Sequence, residues 1–298
     1  METHTKLHSE EYFGEQRNFW WNQDFIEVMA KRWQLNQVHS LLDVGCGIGH
    51  WSRLLAPYLA NEACIIGIDR EQEWVKKSHD FPISRNATYQ VADATQLPFP
   101  DSSFDGVTCQ TVLIHLKDPE AAIKEFIRVL KPEGLLAVAE PNNSASLMIR
   151  SNLDLTKSVD ERLNQIRFQL MCNNGKINLG EGDDSIGDIV PGYFAQMQLS
   201  DIKVYLSDKA SSLFAPYESL EQKISIEQFR DYTEREVYCW DKEDTLRYFM
   251  AGGGCEQEFE KYWIENVEEM KSFIKNIDNK KYHCAGGQVF YLISGRKI

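Results

Sequence analysis

Residues 40–49, SLLDVGCGIG, carry an apolar stretch into Asp43 and then set glycines at alternate positions, Gly45, Gly47 and Gly49, with Cys46 between the first two. Glycine lets a backbone turn tightly and meet a ligand without a side chain in the way, and a helix starting just beyond presents free N–H groups. That combination suits a nucleotide-type ligand. The dinucleotide pattern G-x-G-x-x-G would need a glycine where His50 stands, so a nicotinamide or flavin site fits poorly. A second apolar run, CIIGID, ends at Asp69, followed by Arg70. A carboxylate there can accept hydrogen bonds from both hydroxyls of a ribose. A third run ends in VADATQLPF, where Asp93 could accept from an exocyclic adenine amine and the Ala94 N–H could meet a ring nitrogen. Each aspartate alone could equally be a helix cap or turn residue. Their recurrence at successive strand ends favours a ligand, because ligands bind at the carboxyl ends of parallel strands.

The elements that must position these residues are short apolar runs at 41–44, 64–68, 87–91 and 104–110. Helical patterns separate the first three, and LPFPDSS reads as a loop. Asp118-Pro119 is a helix start, a capping side chain before a proline that loses no hydrogen bond there. That helix should run to Leu130 and stop at Lys131-Pro132-Glu133-Gly134, before a fifth buried strand, LLAVAE. Alternation of this kind predicts a parallel sheet. Upstream, residues 10–35 have the mixed three- and four-residue apolar spacing of one or two amphipathic helices. Downstream come a polar helical stretch (144–172), a loop rich in glycine and asparagine (173–188), a helix over 186–197, a strand DIKVYLS, a charged and aromatic helical region (218–278) broken at Gly252–Gly254, and a last strand QVFYLISG.

Bulk properties narrow the field. With 298 residues and 43% apolar side chains the chain can bury one sizeable core, so one domain with insertions is expected. A formal charge of −13 opposes nucleic-acid binding, and no dense basic patch offsets it. The polar opening residues lack the apolar core of a secretory signal, and no run of about 18 apolar residues exists to span a bilayer. A cytoplasmic location without membrane attachment is expected. The seven cysteines form no C-x-x-C pair and no Cys/His cluster, which predicts reduced thiols and no metal.

The block 41–141 resembles the core of class I, Rossmann-like S-adenosylmethionine-dependent methyltransferases, especially the small-molecule branch that includes ubiquinone and menaquinone C-methyltransferases. The matching residues are LLDVGCGIG at 41–49, Gly67-Ile68-Asp69, Ala92-Asp93-Ala94 with Leu97-Pro98-Phe99, Ser103-Phe104-Asp105, and RVLKPEG at 128–134. The resemblance implies that the glycine loop, with Asp43, Cys46 and Arg70 nearby, holds the methionine moiety of S-adenosylmethionine, Asp69 the ribose, and Asp93 with Ala94 the adenine. Gln110, closing the fourth strand, would line the methionine and methyl end of the pocket. It also implies an α/β, doubly wound, mostly parallel seven-stranded sheet with an antiparallel last strand. On that frame residues 1–39 are an N-terminal helical lid, 40–210 the cofactor-binding core with a helical excursion at 144–198, 211–285 a helical cap insertion, and 286–298 the last strand.

Methyl transfer from a sulfonium is an in-line displacement with a leaving group already activated, so proximity, orientation and exclusion of water can supply most of the acceleration. If the acceptor must lose a proton, His115 and Glu140 are the candidate bases near the strand ends. His115 could instead be packed structurally, and Glu140 could order the Pro141-Asn142-Asn143 turn. Tyr12, Trp20 and Trp21 could close over substrate, with Arg17 pairing with the cofactor carboxylate; the same residues also suit an amphipathic helix packed into the core. The expected function is methylation of a small organic acceptor, with S-adenosylhomocysteine as product. The other reading is an inactive S-adenosylmethionine-binding regulatory or partner protein. The aromatic insertion suits either a substrate cap or a homodimer surface.

Overall fold

The computed structural model describes residues 14–81, 83 and 86–298. β1 (Ser40–Val44), β2 (Cys64–Asp69), β3 (Asn86–Val91), β4 (Phe104–Gln110), β5 (Leu130–Asn142), β6 (Ser200–Leu206) and β7 (Val289–Arg296) form one seven-stranded sheet. Its order is β3-β2-β1-β4-β5-β7-β6. The first five strands pair in parallel, while β7 inserts antiparallel to both β5 and β6. This is the expected Rossmann-like sheet, in which β1 is central and chain direction reverses only at β7.

Alternation along the strands buries side chains on both faces. On one face Leu42, Val44, Val107, Val138 and Ile293 pack with Ile123 and Phe126 of α4 (Pro119–Val129) and Phe194 of α7 (Val190–Gln196). On the other, Leu41, Ile65, Ala137 and Leu292 pack with Ile26, Met29 and Trp33 of α1 (Gln23–Trp33) and Trp51 and Leu55 of α2 (His50–Leu55). α4 starts as its sequence predicts: the Asp118 carboxylate accepts the Ala121 N–H at 2.9 Å, with Pro119 in the first turn. Two ionic clamps hold the loops around it. Arg128 donates to Glu125, to Asp101 and to the carbonyls of Leu97 and Phe99, while Glu125 accepts the Leu97 N–H at 2.8 Å. Asp105 accepts from the Ser40 N–H and hydroxyl and from Lys131, tying the start of β1 to β4 and β5.

The chain divides into two compact units. The sheet unit comprises Trp21–Asn143, Asp184–Asp208 and Val289–Ile298, and the helical unit comprises the described part of the first twenty residues, Ser144–Asp183 and Lys209–Gln288. The stretch read as one helical excursion, 144–198, therefore contributes to both: α6 (Val159–Asn178) lies in the helical unit and α7 in the sheet unit. α6 runs into the segment expected as a loop from 173, because Asn173 and Lys176 are buried along it. In the helical unit α6 joins α8 (Leu220–Glu234), α9 (Lys242–Ala251) and α10 (Glu256–Asp278). Its aromatic core includes Phe168, Tyr248, Phe249, Phe259 and Trp263. The Gly252–Gly254 segment is a helix-end turn, with the N–H groups of all three returning to α9 carbonyls. A side chain at Gly175 would strike the Tyr248 carbonyl, and one at Gly252 the Met171 carbonyl, so glycine at both permits α6 and α9 to touch. No helix among the described residues is long and apolar enough to cross a membrane.

Phe126 is fully buried between α4 and the sheet. Phe126→Ala is expected to cost about 3–5 kcal/mol in urea unfolding, from lost burial and an unfilled cavity; a loss below about 1 kcal/mol would contradict this packing.

Candidate functional site

The glycine loop leaves β1 at the carboxyl edge of the sheet. Gly45, Gly47 and Gly49 all take left-handed φ values, 64°, 52° and 80°. A Cβ at Gly45 would also collide with Val112, which follows β4. Asp43 is buried at the end of β1 and accepts the Ser52 hydroxyl from α2, fixing that helix behind the loop. The Cys46 thiol is held well above its usual range by burial and by the carboxylates of Asp43 and Asp69, so it stays protonated and packs as an apolar group.

Asp69 closes β2. Its Oδ2 accepts the Gly47 N–H at 2.9 Å and its Oδ1 the Glu71 N–H at 2.9 Å, which joins the loop to the neighbouring strand. Burial raises its pKa, and those two N–H groups pull it back. Each oxygen has a further lone pair for a donor. Asp93 is exposed, and its Oδ1 accepts both the N–H of Thr95 at 2.7 Å and the hydroxyl at 2.6 Å, which lowers its pKa. It is thus a turn residue, with Oδ2 left for a ligand, and Ala94 sits half-buried beside it. Arg70 is largely exposed and pairs with Glu71 at 3.2 Å. Gln110 is 5% exposed, and its Nε2 finds no partner among the described residues. A buried donor left in that state costs roughly 1–3 kcal/mol.

Glu140 is completely buried near the end of β5. Its Oε1 accepts the Val112 and Leu113 N–H groups, both at 3.0 Å, and the Cys109 thiol at 3.6 Å. The turn it orders is the one after β4, rather than the Pro141-Asn142-Asn143 turn. That turn carries His115, which is half-buried in a short 3-10 helix (Leu113–His115). Burial pushes the Glu140 carboxyl up to about 7, against the opposing pull of the two N–H groups.

Of the aromatic and basic residues expected near substrate, Tyr12 lies outside the described residues. Arg17 and Trp20 belong to the helical unit, the guanidinium 4.7 Å from the Trp20 ring centroid. Trp21 belongs to the sheet unit, its ring 5.3 Å from Trp51 and 5.5 Å from Phe290. Two contacts of the loop escaped the sequence reading. Tyr89 of β3 lies beneath it, such that a Cβ on Gly49 would come 2.8 Å from the phenol oxygen and one on Gly67 2.6 Å from the ring. The signal was Gly67 itself, since a glycine inside a strand marks a close approach. Burial pushes the Tyr89 phenol up to about 12. Val112 is the other, and nothing in its local sequence announces it.

Residues 42–138 match the methyltransferase domain family. The chain is 36% identical over 112 residues to the uncharacterized methyltransferase YcgJ of Bacillus subtilis, covering 37% of this chain and 43% of that protein. It is 40% identical over 124 residues to 2-methyl-6-phytyl-1,4-hydroquinone methyltransferase of Synechocystis, covering 40% of this chain and 38% of that one. The chain thus spans less than half the length of either relative. The crystal structure of YcgJ superposes with a TM-score of 0.51 at 20% identity, over 93% of this chain and 99% of that one, which shows a shared fold. The matched segment spans every position expected to contact a cofactor except Arg17.

The Glu140 geometry gives a pH-dependent stability. Between 4.5 and about 7 the folded chain keeps the Glu140 proton that the unfolded chain has released, so stability falls as pH rises through that window. By urea unfolding, wild type is expected to lose roughly 3 kcal/mol relative to Glu140→Gln between about pH 4 and about pH 8. A flat difference across that range would show that Glu140 ionises as freely folded as unfolded.

Proposed function

We propose that the chain is an S-adenosylmethionine-dependent methyltransferase acting on a small organic acceptor. The observation that carries the reading is the Asp69 carboxylate at the end of β2, bonded to the Gly47 N–H within a left-handed glycine loop, inside the methyltransferase domain. The residues fit an adenosyl sulfonium ligand. A Cβ at Gly45 would fill the cradle, Asp69 has acceptor capacity for two ribose hydroxyls, and Asp93 keeps one oxygen for an adenine amine.

When bound, S-adenosylmethionine supplies an activated methyl group on a sulfonium for in-line displacement and leaves as S-adenosylhomocysteine. The chain's own part is to bind, orient and exclude water. Asp69 and the loop fix the nucleoside end. The protonated Cys46 offers no competing thiolate. His115 is the residue we assign to proton removal from the acceptor where its chemistry requires that, because its turn opens at the carboxyl edge of β4. Glu140 is assigned to holding that turn, since its Oε1 is committed to two backbone N–H groups. A small acceptor is favoured by the −13 charge, which disfavours nucleic acid, and by the Synechocystis relative named for a hydroquinone substrate.

Calorimetric titration tests the reading. Wild type is expected to bind S-adenosylhomocysteine and not NADH, and Asp69→Ala to weaken that binding roughly tenfold to a hundredfold through lost charge-assisted hydrogen bonds. NADH binding without S-adenosylhomocysteine binding would overturn it.

A further inference from the structure

Exposed apolar side chains are unevenly spread along the chain. Of the twenty large ones among the described residues, eight fall within residues 148–179. Four of these are on α6: Val159 at 74%, Leu163 at 55%, Leu170 at 40% and Ile177 at 45% exposure. Ile166, between them, is half-buried. At roughly 100° per residue, all five fall within an arc of about 60°. Phe168 and Cys172, which pack with Phe249 and Phe259, point to the opposite side of the helix. A surface helix ordinarily carries polar side chains opposite its core, and one that is apolar on both sides is a helix to be covered on both.

The positions 159, 163, 166 and 170 alternate by four and three residues, the spacing with which one helix seats against another. The run breaks at Asn173, which is buried and bonded to Gln169 and Ser144, so the continuous seam is centred between Asn164 and Gln165. A two-fold axis through that centre makes an antiparallel pair, in which Val159 meets Leu170 of a second copy and Leu163 meets Ile166. The flanks decide the orientation. Asp160 and Arg167 are both exposed and line the same flank one heptad apart, and in this register each faces the other across the axis, giving two ion pairs. Arg167 also reaches Glu258 of α10 in its own chain at 3.2 Å, and a guanidinium has five donors to divide between two carboxylates. A parallel pair would set Arg162 against Arg167, like charge on like. Covering the exposed fractions of the five apolar side chains removes roughly 400 Å² per copy, about half of the ~800 Å² that each partner of a stable pair buries. That is near the apolar share of ordinary interfaces.

We propose that the outer stripe of α6 is a self-complementary surface on which a second copy of this chain seats antiparallel. It is independent of the methyl-donor reading. It also differs from the aromatic insertion as a dimer surface, because the insertion's Phe249, Phe259 and Trp263 close over the other side of α6.

Sedimentation velocity on the full chain, across a micromolar concentration series, reads the association directly. Wild type is expected to dimerise. Leu163→Glu puts a carboxylate into two layers of the seam and is expected to weaken the dimer roughly a hundredfold or more. Its far-UV spectrum should be unchanged, since Leu163 is largely exposed within its own chain. Asp160→Lys and Arg167→Glu each set like charges face to face and are expected to weaken the dimer about threefold to tenfold, while the double variant restores it. Should Leu163→Glu not fold, the charge exchange carries the test. A monomeric wild type, a dimer that survives Leu163→Glu, or a double variant as weak as the single ones overturns the proposal.

Discussion

The carboxylate of Glu140 is the point on which the site hangs. A single buried oxygen, accepting two backbone N–H groups, sets the chain after β4 where it must go. That chain is strained: Thr111, just past the strand, takes a left-handed φ of 55°, a region that side chains other than glycine seldom occupy. The geometry persists because it is held from both sides, by Glu140 through Val112 and Leu113 and by the Ala139 carbonyl through the Thr111 N–H at 2.9 Å. Val112 is thereby pressed onto Gly45, and the first glycine of the loop is confined between its own strand and its neighbour's turn. Three strand ends, β1, β4 and β5, are thus locked to one another by a group that need not touch a ligand.

Seen from that lock, the motifs between residues 40 and 134 divide by what their side chains bind. Asp105, Lys131, Arg128 and Glu125 spend their charges on one another and on backbone groups below and beside the sheet. Asp69 and Asp93 spend part of theirs on local N–H groups and keep acceptor capacity at the carboxyl edge. The division follows from the fold. Loops at the amino ends of parallel strands have only the protein to bind, whereas those at the carboxyl ends surround the place where the central strands part and a ligand can enter.

This explains which features could be read from the sequence. β1 to β4 are apolar runs bounded by aspartates, glycines and loop residues, and a strand buried on both faces announces itself that way. β5 does so only in part: LLAVAE is legible, but the strand begins at Leu130, because Leu130 already pairs with Phe104 before the irregular step at Gly106. Asp118-Pro119 located the start of α4 because a cap is a local interaction. The ordering role of Glu140 was out of reach, since its partners lie 27 and 28 residues upstream and are backbone groups with no side-chain identity to recognise. Val112 is hidden for the same reason. Tyr89 was recoverable in principle from Gly67, its register partner in β2.

The division into two units marks a deeper limit. The helical unit draws on chain segments that flank strands of the other unit, and β6 and β7 return to the sheet between and after them. Local patterns identify such helices without saying which core they serve: α6 and α7 both lie in 144–198, yet Phe168 packs with Phe249 and Phe259 while Phe194 packs with Ile293 and Phe126. Apolar periodicity reports that a face is buried, and the identity of the covering surface is a long-range fact. The glycines at 175 and 252 come nearest to carrying it in sequence. Each lies where a side chain would strike the other helix's backbone, so the pair specifies that α6 meets α9 at one crossing, seventy-seven residues apart in the chain.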